Sequence, residues 1–539
     1  MRPEVLHPGS SRAMTLEAAE PHTDVPQCPV PHAKDTPLPP GHPEIPVAPP
    51  SKLQNPSGEH CIFFRQPEDG QNLSSMEVTT ESLTPDPVEL QDPEHLLVLS
   101  SRKSALAVCQ ATEVQLMLEA RYGGNSPAFA PHAAEAADTN EEIAGVHRLL
   151  RGFEEDRTKE LVPYHFPVRT MATLGDNNQR SPLYVIGGEG RAIWTKELEV
   201  ALVAGSVDAI VHSLKDVPTT LPDGLELAAI LEREDPRDAL VVKQGLPYKS
   251  INDLPRGSVV GTSSVRRVAL LRRAFPHLMF SDVRGNIQTR LAKLDAKDGP
   301  YTAIVLAAAG LKRMNLEDRI TSYLVGTDMQ YAVGQGALGV EVRTPRGPNQ
   351  ERDEKVRTLI RSISNWRSTW RCVAERALMH RMEGGCSIPL GVTTRLEDHD
   401  ELEGKMHERI ETPMELAQSG VLPTRVPIPP MPPAEGCRLT LSAVIVSLDG
   451  KQSCQHTETM LCRSAEDAER LGILVAEELE HNQNARGILD EVEHHRRLAE
   501  VADEKRRAAQ NAGEATLAVP EVDRRGMPRD DGEPKAWEV

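Results

Sequence analysis

Apolar residues begin to recur with a regular period only at residue 96. Leu96–Ser100 reads as a buried strand. Leu106, Val108, Cys109, Val114, Leu116 and Leu118 give helical spacing over 105–121. Residues 166–176 predict a strand and loop, 195–205 an amphipathic helix stopped at Gly205, and 208–214 a further strand. The alternation continues with a strand at 258–262, a helix at 265–275, a strand at 278–283, a helix at 287–296, and a strand and turn at 302–310. Strands alternating with helices predict parallel sheets covered on both faces, with ligands at the carboxyl ends of the strands.

The pattern lapses elsewhere. Residues 1–94 contain 18 of the 43 prolines and have no sustained period, so a disordered tail is expected. The apolar island 61–64 within it reads as a chance cluster or a docking motif. Residues 122–165 and roughly 396–436 read as aperiodic insertions, and 499–539 as a second disordered tail. From 356 a third unit begins. It has a helix at 371–383, the segment Gly384-Gly385-Cys386-Ser387-Ile388-Pro389, a strand pair within 439–460 that turns at Asp449-Gly450, and a helix at 464–481.

The boundaries expected are therefore 1–94 tail, 95–232 with 331–355 as the first α/β domain, 233–330 as the second, 356–498 as a small α+β domain, and 499–539 tail. The fold class is α/β with a small C-terminal α+β domain.

The formal charge of -19 changes how one segment reads. Residues 261–290 carry six arginines against a single acid, Asp282. Arginine stays protonated and its planar fork matches a carboxylate. A local cluster in an acidic chain predicts a small, multiply anionic ligand, and argues against a nucleic acid, which would need a broad basic face. No apolar run reaches membrane-spanning length, and no signal-type core opens the chain. The eight cysteines form no Cys-x-x-Cys pair, so neither a metal site nor a disulfide framework is expected. A cytoplasmic, reduced protein without membrane or nucleic-acid partners fits this balance.

Single residues carry candidate chemistry. Asp216 follows a strand and could stabilise a cation or move a proton; the plainer alternative is a helix cap or a turn residue paired with Lys215. Arg266 and Arg267 stand in the first helical turn, where the dipole disfavours cations, which suggests a compensating anion. Arg284 and Arg290 could point into the same cleft. Arg272 and Arg273, in the last turn, read as a solvated helix end. Cys386 behind two glycines could be an exposed nucleophile or an ordinary buried thiol. The turn 334–339 is glycine-rich but lacks the order of a dinucleotide fingerprint.

Together these segments resemble the porphobilinogen deaminase family. The match runs in order through SRKSALAVCQ (101–110), WTKELEVAL (194–202), VDAIVHSLKDVPTTLP (207–222), EREDPRDALV (232–241), VVGTSSVRRVALLRRAFPHLMF (259–280), VRGNIQTRLAKLD (283–295), VLAAAGLKRM (305–314), YAVGQGALGVEVR (331–343), ERALMHRMEGGCSIPLGV (375–392) and NARGILDEV (484–492).

The resemblance implies two hinged α/β domains like a type II solute-binding protein, plus a small third domain. It implies a dipyrromethane cofactor joined through a thioether to Cys386. Four porphobilinogen units would be added with loss of ammonia, and water would release a linear tetrapyrrole from a monomeric enzyme. Asp216 would be catalytic. Ser213, Lys215, Thr262, Ser263, Ser264, Arg266, Arg267, Arg290, Gln335 and Gly336 would bind the cofactor. Arg102, Ser104, Arg284, Arg290 and Arg313 would bind substrate. No metal is implied.

The chain departs from the family at 187–194, where Glu189 stands in place of a lysine and about two residues are added. It also departs at Leu174 and at Ser100. A non-catalytic binding module is the rival reading. It would share the two lobes and the arginines but would need neither Cys386 nor Asp216.

Overall fold

The computed structural model describes residues 62–64, 78–80, 94–130, 137, 140–154, 160–173, 195–326, 329–382, 388–397, 432–482, 485–495, 497–498 and 501. Most of both expected tails, the insertion 398–431, the loop around Glu189 and Cys386 with its glycines lie outside these residues. Within the N-terminal stretch, β1 (Ile62–Phe64) pairs antiparallel with β2 (Val78–Thr80), so the apolar island belongs to a short ribbon.

The first α/β sheet is built from β3 (Leu99–Arg102), β4 (Val168–Met171), β5 (Ala209–Ser213), β6 (Leu225–Ile230) and a late strand, β12 (Leu338–Arg343). Its order is β4-β3-β5-β12-β6. The second sheet contains β7 (Asp238–Val242), β8 (Val259–Gly261), β9 (Met279–Ser281), β10 (Ala303–Ala307) and β11 (Ser322–Leu324), in the order β11-β7-β10-β8-β9.

The expectation of all-parallel sheets is corrected. In each sheet four strands run the same way, while the strand entering from the other sheet is antiparallel to its neighbours: β12 against β5 and β6, β7 against β10 and β11. The chain crosses between sheets twice, and the crossing strands must run backwards. The two five-stranded sheets are the two α/β units expected.

Helices cover these sheets. They are α1 (Ala105–Tyr122), α2 (Glu141–Arg151), α3 (Lys196–Val203), α4 (Val265–Ala274), α5 (Ile287–Asp295), α6 (Ala308–Arg313) and α7 (Gln350–Arg361). Ser104, Ser264 and Asn286 cap α1, α4 and α5 by accepting backbone N–H bonds, as capping chemistry requires.

Two further expectations are corrected. The segment 122–165 is not an aperiodic insertion. Ile143, Val146 and Leu150 of α2, with Ala128, Leu161 and Tyr164, join the first sheet's core. Their spacing was hidden by the polar residues on either side. The turn after β10 is a helix, α6.

The third unit is an antiparallel sheet, β13 (Leu390–Leu396), β14 (Cys437–Val446) and β15 (Ser453–Cys462), in that order. It is packed by α8 (Trp366–Arg381) and α9 (Ala465–His481), with α10 over residues 485–495. Val444 and Val446 reach across to the second sheet's core. Arg272, expected to be a solvated helix end, donates to the Leu448 carbonyl at 2.9 Å. The hairpin docks on the end of α4 and covers it.

Candidate active site

A small cleft opens at the carboxyl ends of the first sheet's strands. Arg102, Ser104, Gln110, Thr195, His212, Ser213 and Asp216 contribute to its walls. Strand order explains the location: β3 and β5 end there, and each hands the chain to a polar turn. Ser213 Oγ exchanges hydrogen bonds with the Gln110 amide at 2.8 and 3.0 Å, which ties the end of β5 to α1. Gln110 was not singled out in the sequence, where it reads as one more polar position on a helix.

Asp216 is the last residue of a 3₁₀ turn, Leu214–Asp216. It caps no α-helix. No hydrogen bond or ion pair joins its carboxylate to a described residue, so its link to the neighbouring Lys215 is electrostatic. Asp216 does act electrostatically on Lys215 and on Arg290 from across the cleft. Burial pulls the Lys215 ammonium below its ordinary range, against the attraction of Asp216.

The second sheet supplies the arginines. Arg266 and Arg267 are buried side by side and share one carboxylate, Asp238 at the start of β7. Arg266 Nη2 lies 2.9 Å from Asp238 Oδ2, and Arg267 Nε and Nη2 donate to Oδ1 at 3.0 and 2.7 Å. Arg266 also donates to the Gln330 carbonyl, and Arg267 to that of Val305. Gln335 Nε2 donates to the same Asp238 Oδ1 at 2.9 Å. Although burial opposes its ionisation, Arg266 and Arg267 hold Asp238 far below the usual carboxylate range.

Sequence reasoning missed Asp238, which opens the apolar run of β7. The signal was there in principle: a fully buried acid needs cationic partners.

The other expected residues fall into distinct settings. Arg290 is half-buried and donates to the Gly285 carbonyl at 2.7 Å. Burial and the nearby Arg267 pull it down to about 10. Arg284 lies 3.3 Å from Asp282. Thr262 accepts from the Ser264 amide, Ser263 donates to the Val283 carbonyl, and Ser264 caps α4. Arg313 is buried away from the cleft mouth, bonded to Glu113 and to the carbonyl of Gly336. Gly336 holds a φ of +91°, and a Cβ there would collide with the Glu234 carbonyl oxygen. That glycine lets the two crossing segments touch.

The charge count is uneven. Lys215, Arg266, Arg267 and Arg290 crowd together, and Asp238 is the buried carboxylate among them. Burial disfavours the charged form of Lys215, Arg266 and Arg290 alike. Carboxylates brought by a ligand would relieve that cost.

Two family profiles match this chain. "Porphobilinogen deaminase, dipyromethane cofactor binding domain" spans residues 97–351. "Porphobilinogen deaminase, C-terminal domain" spans 369–408. Porphobilinogen deaminase of Yarrowia lipolytica is 46% identical over 334 residues, covering 61% of this chain and 85% of the relative. Those of Eremothecium gossypii and Saccharomyces cerevisiae are 43% and 42% identical, each covering 65% of this chain and 96% of the relative. Among solved structures, the periplasmic aliphatic sulphonate binding protein SsuA from Escherichia coli aligns at 14% identity and a TM-score of 0.25, covering 53% of this chain and 74% of that one.

Proposed function

The chain belongs to the porphobilinogen deaminase family, and from that membership we propose how its own residues carry out the reaction. It is a hydroxymethylbilane synthase, a transferase (EC 2.5.1.61) of tetrapyrrole biosynthesis. It condenses four porphobilinogen units head to tail with loss of ammonia, and releases the linear product by hydrolysis. A dipyrromethane group bound to the protein supplies the primer to which the units are added. The surplus of buried cations suits such a group, since each pyrrole brings two carboxylates.

In this reading Cys386 holds the group through sulfur. Lys215, Arg266, Arg267 and Arg290 meet its carboxylates, with Thr262, Ser263, Ser264, Ser213, Gln335 and Gly336 shaping the wall. Arg102, Ser104, Arg284, Arg290 and Arg313 serve the substrate. Beyond their local bonds, Ser263 keeps acceptor lone pairs and Ser264 keeps its O–H donor. Arg313 acts from the second layer, by fixing Gly336.

Asp216 has the central role. As ammonia departs, positive charge spreads onto a pyrrole nitrogen, in a cleft whose arginines oppose it. A carboxylate with no other partner among the described residues offsets that charge. This is the observation that favours catalysis over mere binding, because a binding module for carboxylates would gain nothing from an acid placed among its arginines.

We take the three larger sheets as the centres of three domains, bounded at 95–232 plus 331–355, 233–330 and 356–498. The protein acts as a cytoplasmic monomer. No helix among the described residues is long and apolar enough to cross a membrane.

Mass measurement of the denatured protein tests the reading. An adduct of dipyrromethane mass with a pyrrole colour reaction is expected, together with ammonia release from porphobilinogen. An unmodified chain that binds porphobilinogen without releasing ammonia would favour the binding module.

A further inference from the structure

Behind the cleft lies a set of buried titratable groups with no role in the mechanism so far. In the β5–β12 ladder Gly339 stands opposite His212 and Glu341 opposite Ile210. His212 Nε2 and Glu341 Oε2 are 2.9 Å apart, with side chains 4% and 0% exposed. Helix α3 adds two buried acids, Glu197 and Glu199. Glu341 Oε1 and Glu199 Oε1 are buried without a hydrogen-bond partner among the described residues. Burial pushes the Glu199 carboxyl up, and the charges of Glu341 and Glu197 push it further. Three carboxyls and one imidazole share this buried space, where leaving charge unpaired is costly.

The position of this group matters as much as its composition. His212 lines the cleft that Asp216 lines, and only three residues separate them along the turn. The charged groups around His212 are Glu341 from β12, Glu197 and Glu199 from α3, Arg102 at the end of β3, and Lys215 and Asp216 beyond β5. Arg376 of α8 lies within electrostatic reach of Glu341. From α1 the neighbour is the uncharged Gln110.

We propose that the His212–Glu341 pair is the proton acceptor behind Asp216, taking up the proton that each condensation frees from the attacking pyrrole carbon. The step balances. The C–N bond of the aminomethyl group breaks, and its electron pair leaves with ammonia. The attacking ring supplies the pair for the new C–C bond, and the C–H pair then returns to that ring. The aminomethyl group enters as its ammonium form and leaves as ammonia, and the proton freed afterwards from the ring carbon rests on the pair and passes to solvent. No other reagent is needed. His212 and Glu341 are positioning and proton-holding residues here, with Asp216 the group against the substrate. The inference rests on the deaminase reading.

The test is His212→Gln, whose amide can still donate to Glu341 but cannot titrate. Dipyrromethane mass and KM for porphobilinogen should be kept. The kcat should fall by about ten- to a hundredfold, the scale of a lost proton-transfer role. The acid limb of its pH profile should vanish. Wild-type kcat with an unchanged acid limb would overturn the proposal, while the mass adduct and loss of turnover in Asp216→Asn would still uphold the deaminase reading. If the variant does not fold, nitrogen NMR of histidine-labelled wild-type enzyme decides. His212 should titrate at the midpoint of the acid limb. Fixed protonation between about pH 5 and 9, on either side of the ordinary histidine value, would overturn the proposal.

Discussion

Arg376 donates to the carbonyl of Pro218 at 2.6 Å, two residues beyond Asp216. A second bond, to the carbonyl of Val217 at 3.0 Å, completes a fork over the end of the Leu214–Asp216 turn. The guanidinium comes from α8, so the third unit fixes a loop of the first. An ammonium cannot span both carbonyls with the same geometry. Arg376→Lys should therefore keep the dipyrromethane mass and KM and lose about tenfold in kcat, the scale of one net hydrogen bond of about 1.4 kcal/mol. Steady-state kinetics check this. A rise in KM alone would show that the fork serves binding rather than the turn.

Asp216→Asn is nearly equal in shape and removes only the charge. Turnover should drop at least about a hundredfold, with the fold intact. Asp216→Glu should retain more activity than Asn. Single-turnover ammonia release, with the adduct mass confirmed, is the measurement, and near-normal release from the Asn variant would move the chemistry to another group.

Asp238 is the carboxylate shared by two buried guanidiniums, so Asp238→Asn leaves them facing each other. A loss of about 3–5 kcal/mol is expected at pH 7. The sign of the pH dependence follows from its depressed pKa. The stabilisation is fully present above the unfolded value of about 3.9 and fades as pH falls towards the folded one. Urea unfolding of wild type and variant should show a wide gap at neutral pH that narrows below about pH 4.

Arg290 is pulled down to about 10, so its charge costs stability at every pH below that value. The cost fades only as pH rises from there towards the unfolded value. Replacing it should trade function for stability. In a Cys386→Ala background, which should carry no adduct, adding Arg290→Met is expected to raise the thermal midpoint. The same substitution in wild type should weaken cofactor assembly. A lower midpoint in the first case would mean that the bond to Gly285 outweighs the burial.

Cys386→Ala itself should give a folded, unmodified and inactive protein, whereas Cys109→Ala and Cys372→Ala should keep the adduct. Both of those thiols are buried, and burial pushes each above its ordinary value, which leaves them poor nucleophiles. Intact adduct on the Cys386→Ala protein would refute the attachment.

Much of this architecture was legible along the chain because the βα alternation has a strong period. The turns that carry Asp216, Ser264 and Asn286 followed directly from it. What stayed hidden was tertiary. Asp238 reads as the polar edge of an apolar strand until two arginines from a helix meet it. The direction of β7 and β12 depends on the chain crossing between sheets, which no local pattern encodes. Helix α2 is short and amphipathic inside a polar stretch, so its three core residues were diluted. His212 and Glu341 are 129 residues apart, and each reads as one polar position in a strand.

That separation has a consequence for biosynthesis. β12 lies between β5 and β6, so these two strands have no shared partner until residues 338–343 leave the ribosome. By then the whole second sheet can already be complete. The nascent first lobe therefore waits with two unpaired strand edges, the sort of surface that recruits chaperones or aggregates. Its final closure brings Glu341 to His212 and the glycines of 334–336 to the crossing segment in one event. Assembly of the candidate cleft and completion of the lobe are then the same late step, and a chain stalled before it should be inactive however well its second lobe has formed.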